Sequence, residues 1–254
     1  MTLLQVKEVG KVYTTRLGAQ KVQALSHVSF DVEEGEFVAI MGESGSGKTT
    51  LLNILAALDT PTGGQVLLEG RDFAAIPEKD RAAFRRDHLG FVFQDFNLLD
   101  TFSIRDNVLL PLVLRGMPVR QMEERLAPLL ERLGLESLEG KYPWEVSGGQ
   151  KQRAAVARAL ITQPRLLLAD EPTGALDSKA AANLMRIFAG IHQSGQTILM
   201  VTHSAQAASY ASRVLFIKDG AVYNQLYRGE LARDSFYQKI IATLTVLAGG
   251  EQSD

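Results

Sequence analysis

Apolar residues recur along this chain in three rhythms, and each predicts a different kind of element. Residues 3 to 13 and 22 to 32 alternate apolar and polar side chains, the period of half-buried strands. They predict an antiparallel pair joined by the basic, glycine-containing stretch from Thr14 to Lys21. Unbroken apolar runs at Phe37 to Met41, Leu89 to Phe93, Leu166 to Ala169, Thr197 to Thr202 and Val214 to Ile217 predict fully buried strands. Gln65 to Glu69 adds a short strand, and Asp219-Gly220 before Ala221 to Tyr227 predicts a hairpin. Spacing of three and four marks the helices. Leu51 to Leu58 predicts one, and a basic helix with Arg81, Arg85 and Arg86 follows Pro77. Residues 104 to 140 turn helical throughout, with Val108, Leu109, Leu112, Val113, Met122, Leu126, Leu129, Leu130 and Leu133 on apolar faces. A last helix, about 233 to 248, places Phe236, Ile240, Leu244 and Leu247 on one face, which packs on its own domain or docks on a partner. Strands alternating with helices give an α/β chain with a helical insertion.

Composition narrows the possibilities modestly. The 254 residues, 46% of them hydrophobic, suit one large domain or a domain with a subdomain. A formal net charge of −2 gives no support for nucleic-acid binding. The absence of cysteine excludes disulfides, iron–sulfur clusters and thiolate zinc sites, and suits a reducing compartment. The first residues, Met1 to Tyr13, lack the layout of a signal peptide, and no apolar run nears the roughly 20 residues that span a bilayer. Any membrane role is expected to run through a partner.

The candidate chemistry begins between the strand ending at Met41 and the helix opening near Gly47. Gly42-Glu43-Ser44-Gly45-Ser46-Gly47-Lys48-Thr49-Thr50 satisfies G-x-x-x-x-G-K-[ST] in the strand–loop–helix setting that a P-loop requires. Glycines let successive N–H groups point at a phosphate, and the helix adds its positive end. Lys48 supplies a point charge for the β- and γ-phosphates, and Thr49 a hydroxyl for Mg²⁺. Gln94, polar at the end of a buried strand, is a candidate ligand for metal or water.

A second glycine-bearing helix start, Ser147-Gly148-Gly149-Gln150, follows, with Ser147 as N-cap. One γ-phosphate does not easily need two such cradles from one chain, but a head-to-tail pair of chains could lend each its second cradle. Leu166 to Ala169 then lead into Asp170 and Glu171. Asp170, at the strand end, is the candidate Mg²⁺ holder. Glu171, one residue further out, is placed to accept a proton from an attacking water. Pro172 to Asp177 form a tight loop. His203 ends the strand at Thr197 to Thr202, at the same sheet edge as Glu171, where it can reach a γ-phosphate. His27, His88 and His192 have no such placement.

With these motifs in one order, the chain resembles the ATPase subunits of ABC transporters over nearly its whole length. The resemblance implies a single ABC domain, residues 1–254, with an F1-like α/β core, an antiparallel β-subdomain and a helical subdomain at about 95–162. It implies ATP held between the two cassettes of a homodimer, with Ser147 to Gln150 of one facing Lys48 of the other. It makes Tyr13 the adenine platform rather than an ordinary strand aromatic, Gln94 a nucleotide-sensing metal ligand, Asp177 part of the nucleotide site and His203 the switch histidine. It also implies a peripheral position at the cytoplasmic face of the plasma membrane, held by a permease.

The stretches IMGESGSGKTTLLNIL, LDTPTGG, RRDHLGFVFQDFNLL and PTGALD are similar to the MacB-type, lipoprotein-releasing and FtsE-type branch. FNLLDTFSIRDNVLLPLVL and the ending LYRGE before Phe236-Tyr237 most resemble the bacitracin-export (Bce-type) subunits, which serve permeases that sense and remove peptide antibiotics. Glu43 and Val146 depart from residues common in the family and replace no catalytic group. The segment after Gln94, with Phe96, Leu98, Leu99 and Asp100, is the candidate docking surface for the permease. The competing expectations are a lipoprotein-releasing or FtsE-like mechanical subunit, a soluble ATPase acting on DNA or ribosomes, and a simple P-loop kinase or GTPase. The last two sit poorly with the acidic balance and with the motif set.

Overall fold

The computed structural model describes residues 1–14 and 21–249, so the predicted connection from Thr14 to Lys21 lies largely outside the described residues. The elements in chain order are β1 (Thr2–Thr14), β2 (Lys21–Glu33), β3 (Phe37–Gly42), α1 (Lys48–Leu55), β4 (Gly63–Leu68), β5 (Arg71–Asp72), α2 (Glu78–His88) and β6 (Leu89–Val92). There follow α3 (Ile104–Leu114), α4 (Val119–Leu133), α5 (Gly148–Leu160), β7 (Leu166–Asp170), α6 (Ser178–Gln193) and β8 (Thr197–Val201). The chain closes with α7 (Ala205–Ala208), β9 (Arg213–Lys218), β10 (Ala221–Tyr227) and α8 (Arg233–Gly249). They fall into two units, one of residues 1–74 and 199–254, the other of residues 75–198.

In the first unit an antiparallel sheet runs in the order β2-β1-β4-β5. Its register sets Val6 opposite both Phe30 and Val66, so the apolar half of each alternating strand falls on one buried face. Bulges shift the β1 register at four places, which bends a 13-residue strand that would otherwise be flat and long. The other strands of this unit lie in the order β10-β9-β3, with the end of β8 next to β3. β3 and β9 are parallel, with Ile40 opposite Leu215, and every residue from Phe37 to Met41 is buried. That is why both strands read as unbroken apolar runs. The β9–β10 hairpin turns on Asp219 and Gly220, both at positive φ.

α1 is shorter than its apolar pattern, ending at Leu55 with Ala56 as C-cap, because Ala57 takes a left-handed backbone (φ 53). α8 buries Phe236, Ile240 and Leu247 and contacts α7, so this face is covered from within its own unit.

In the second unit β6 and β7 pair in parallel, Leu89 opposite Leu166 and Val92 opposite Ala169. The helical stretch resolves into α3 and α4 plus a short 3-10 turn at Glu136–Leu138. α4 is amphipathic, burying Met122, Leu126, Leu130 and Leu133, and stops at Gly134 in the left-handed conformation (φ 60, ψ 48). α3 and α4 both pack on α5, whose Ala154 to Ala157 are wholly buried.

Candidate functional site

In the first unit the P-loop is closed by sterics on both flanks. A Cβ at Gly42 would stand 2.2 Å from the Ile217 carbonyl oxygen and 2.7 Å from Ser46 Oγ. Gly47, the N-cap of α1, has φ +98 and the Ala24 carbonyl oxygen 2.4 Å from where its Cβ would lie. Only glycine satisfies either position. Lys48 Nζ donates to the carbonyl oxygens of Gly42 at 2.8 Å and Glu43 at 2.6 Å, holding the ammonium across the loop. Ser46 Oγ is buried and makes no hydrogen bond among the described residues. A glycine-walled loop carrying a lysine, an unsatisfied buried hydroxyl and a helix N-terminus fits a phosphate chain. Glu43, Ser44, Gly45 and Thr49 are exposed, and Thr50 is half-buried. Behind the loop, Leu244 and Leu247 of α8 line a cavity of about 230 Å³ with Gly42 to Ser46, Lys218 and Asp219. The sequence showed no sign that the last helix backs the P-loop.

Tyr13 lies 42% exposed near the start of α1. Its hydroxyl donates to Asp59 Oδ2 at 2.8 Å and also hydrogen-bonds Thr50. Burial, then the Asp59 contact, pushes the phenol above its ordinary range. Lys11 Nζ stands 4.9 Å over the ring and binds Asp59 Oδ1 at 2.6 Å. For Asp59, burial pushes the carboxyl up, but the bonds from Lys11, Tyr13 and the Thr60 N–H outweigh it and hold the group below its usual range. These contacts fix the ring's orientation while a large part of it stays open to solvent. His203 is exposed just past the end of β8. The Thr202 N–H beside it donates to the Ile40 carbonyl at 3.0 Å, which ties it to the strand that feeds the P-loop.

In the second unit the remaining motif residues form their own arrangement. Ser147 caps α5 by accepting from the Gln150 N–H, and Gln150 Oε1 accepts from the Ser147 N–H at 2.7 Å, a reciprocal capping box. Gly148 lies where an added Cβ would meet Leu176 and the Phe96 ring, each at 3.7 Å. Gly174 lies against the Gln94 side chain, whose Cδ would be 3.1 Å from an added Cβ. So the Gln94 segment, the Ser147 cap and the loop between Glu171 and Asp177 converge. Asp170 and Glu171 are half-buried at the end of β7, with Glu171 in a left-handed conformation (φ 43) that turns the chain sharply after the strand. Asp177 Oδ1 accepts from the Ala180 N–H at 2.8 Å and so caps α6.

Three residues of this unit escaped sequence reasoning. Asn107 is wholly buried in α3 and acts as a template for the loop before it. Its Oδ1 accepts from the Leu99 N–H at 2.7 Å, and its Nδ2 donates to the carbonyls of Leu99, Phe102 and Ser103 at 3.0 to 3.1 Å. Gln152 and Arg158 of α5 likewise end on distant main-chain carbonyls. Beside the segment from Phe93 to Asn97 a groove of about 520 Å³ is lined by Phe91, Phe93, Leu110, Pro111, Leu114 and Arg158, among others. Of the expected docking residues, Leu99 (44% exposed) and Asp100 face solvent, whereas Phe96 is half-buried against Gly148.

The sequence expectation gives a metal the Asp170 carboxylate and the Gln94 amide oxygen in the second unit and, in the first, the Thr49 hydroxyl. Among the described residues no group of three or more His, Cys, Asp or Glu forms a metal cage. Hard oxygen donors with one carboxylate suit Mg²⁺ that arrives largely coordinated by phosphates.

A model of the ABC transporter family matches residues 25–174. The chain is 47% identical to the bacitracin export ATP-binding protein BceA of Halalkalibacterium halodurans, covering all of both chains. It is 44% identical over 222 residues to the macrolide export ATP-binding/permease protein MacB of Neisseria gonorrhoeae, spanning 87% of this chain and 34% of that larger protein. Among solved structures, the dimeric post-hydrolysis state of the ATP-binding cassette MJ0796 bound to ADP and Pi superposes with a TM-score of 0.80 at 38% identity, covering 89% of this chain and 98% of that one.

Proposed function

This chain belongs to the ABC transporter family as an ATP-binding, ATP-hydrolysing subunit of a bacterial transporter, and on that premise we propose that it drives a membrane permease that removes or senses peptide antibiotics. The observation that carries the antibiotic reading is the end-to-end match to a bacitracin export subunit, without gap in coverage on either side. Subunits of this family work as pairs with membrane permeases, and among the described residues no helix is long and apolar enough to cross a membrane. The permease is therefore a separate partner in this reading, and the chain sits at its cytoplasmic face.

The site roles follow from chemistry. The backbone of Gly42 to Thr50 and the Lys48 ammonium bind the phosphates of ATP, and Tyr13 stacks on adenine. Thr49, Asp170 and Gln94 hold Mg²⁺, which when bound offsets charge on the phosphate oxygens. Glu171 orients the attacking water and takes its proton, and His203 contacts the γ-phosphate. Ser147 to Gln150 complete the site of a second, identical subunit, and Asp177 lies at that junction. Residues 1–254 act as one cassette, with residues 95–162 as its helical subdomain. The loop after Gln94 docks the permease, a reading supported by the apolar groove and by exposed Leu99, Phe102, Val113 and Leu114 next to it in the sequence.

The test is a pull-down of tagged Glu171→Gln chain with ATP from detergent-solubilised membranes of its source. Recovery of a many-helix permease with a large extracellular domain is the expected result. Recovery of a four-helix permease would replace the antibiotic reading with a lipoprotein-releasing or FtsE-like one. DNA or ribosomes in place of a membrane protein would overturn the transport role.

A further inference from the structure

α5 carries more than its capped N-terminus. Gln152, one turn in, is wholly buried, and its Nε2 donates to the Phe93 carbonyl at 3.0 Å and the Pro172 carbonyl at 2.8 Å. Two carbonyl acceptors fix the amide's orientation, since its oxygen could not face either. The amide thus ties the residue before Gln94 to the residue after Glu171. Its Oε1 is buried without a hydrogen bond among the described residues, so the side chain keeps this orientation although half of its polar capacity is left unused.

Arg158, near the other end of the helix, donates to the carbonyls of Phe96 at 2.9 Å and Asn97 at 2.5 Å. Both residues are left-handed, Phe96 at φ 62 and Asn97 at φ 49. Asparagine tolerates that region, but a bulky phenylalanine there is strained and persists only where its surroundings over-determine it. A guanidinium with no carboxylate among its hydrogen-bond partners in the described residues, bonding the carbonyls of two consecutive strained residues, is such a determinant. Burial presses this guanidinium below its ordinary pKa, the direction expected of a charge withdrawn from water to do a structural job.

We propose that Gln152 and Arg158 are positioning residues that make the segment from Phe93 to Asn97, with Gln94 inside it, a rigid attachment of α5. Movement of the Ser147 to Gln150 end is then delivered along one helix to Gln94 and to the turn at Glu171 and Pro172, and not along the intervening chain through α3 and α4. The functional half of this inference rests on the reading of Gln94 and Glu171 given above. The mechanical half does not.

The experiment uses the full-length chain with Gln152→Met, Arg158→Met and the conservative Arg158→Lys. Amide hydrogen exchange is followed over residues 93–99 and 171–176, with thermal midpoint, ATP KM and kcat measured alongside. The Asn97 N–H, bonded to Asp95, and the Gly174 N–H, bonded to Glu171, are the informative amides. Gln152→Met is expected to speed exchange in both segments and Arg158→Met only in the first, by about tenfold. Arg158→Lys should recover part of that protection, and remains usable if Arg158→Met does not fold. Turnover should fall about tenfold with KM within about twofold, the signature of misplaced groups rather than lost binding. Unchanged exchange in folded variants overturns the proposal, whatever turnover does. Faster exchange with unchanged kcat overturns the delivery of movement to the site. Gln94→Ala is run in parallel: normal turnover in that variant sinks the role of Gln94, while the exchange data still decide whether α5 holds the segment.

Discussion

Gly42→Ala isolates the steric requirement of the P-loop. Gly42 is not at positive φ, so alanine brings no torsional penalty. What it brings is a methyl group 2.2 Å from the Ile217 carbonyl oxygen and 2.7 Å from Ser46 Oγ, where Cβ contacts under 3.0 Å are essentially never adopted. The worst contact must therefore open by at least 0.8 Å, the difference between 3.0 and 2.2 Å. The Ile217 oxygen belongs to a strand buried on both sides, so the loop is the partner that moves. A displacement near 1 Å of groups that hold a reacting phosphate costs about 10²-fold, or about 2.7 kcal/mol. Gly45→Ala is the matched control: its φ is +81, but no atom lies within 4 Å of the added Cβ, so only torsional strain of about 1 kcal/mol is expected. Titration with a fluorescent nucleotide and steady-state turnover should rank the two, with Gly42→Ala roughly tenfold the more damaging. A melting curve shows whether either effect is global. Gly42→Ala with ATP affinity and turnover within about threefold of the parent would refute the argument that this wall shapes the phosphate site.

Three further outcomes follow from other parts of the molecule. Glu171→Gln should keep ATP affinity within a few-fold, lower turnover by about 10²-fold or more and accumulate a dimer on size exclusion; normal turnover would remove Glu171 as the base. Arg213 is 6% exposed and pairs with both carboxylate oxygens of Glu36 at 2.8 and 3.0 Å, so Arg213→Met leaves a carboxylate without its cation and should cost about 3 kcal/mol or more, read as a fall in Tm of about 10 °C. Asp59 has a folded pKa held below its unfolded value, so its contribution to stability is complete above about pH 4 and is lost as pH falls through the lower folded value. Lys11→Met should flatten that acid limb in urea unfolding; an unchanged limb would mean the Lys11–Asp59 bridge does not set it.

The motifs were legible because each is contiguous and each sits where a change of hydrophobic rhythm reveals a strand end or a helix start. Gly42 to Thr50 runs from the last residue of β3 into the first turn of α1, Ser147 caps α5, and Asp170 ends β7. Buried strands were legible as apolar runs for the same reason. The supports of the site were not. Gln152, Arg158 and Asn107 bind main-chain carbonyls, whose positions leave no trace in residue type, and the partners of Gln152 and Arg158 are 20 to 62 positions away. The bulges of β1 were equally hidden, since alternation survives a one-residue slip over a few positions. Tyr13 was assigned to adenine through the resemblance alone, and its clamp by Asp59 and Lys11 required the turn after α1 to be seen in place.

The manner in which Asn107 holds the loop from Leu99 to Ser103 has an evolutionary consequence. All four of its hydrogen bonds go to main-chain atoms, so the loop's course is set by one buried amide and not by the side chains displayed along it. Leu99, Asp100, Thr101 and Phe102 can be exchanged freely without loss of the loop's shape. In the docking role proposed for it, this surface can therefore be re-keyed to a new partner protein by successive point changes, with the cassette behind it kept intact at every step.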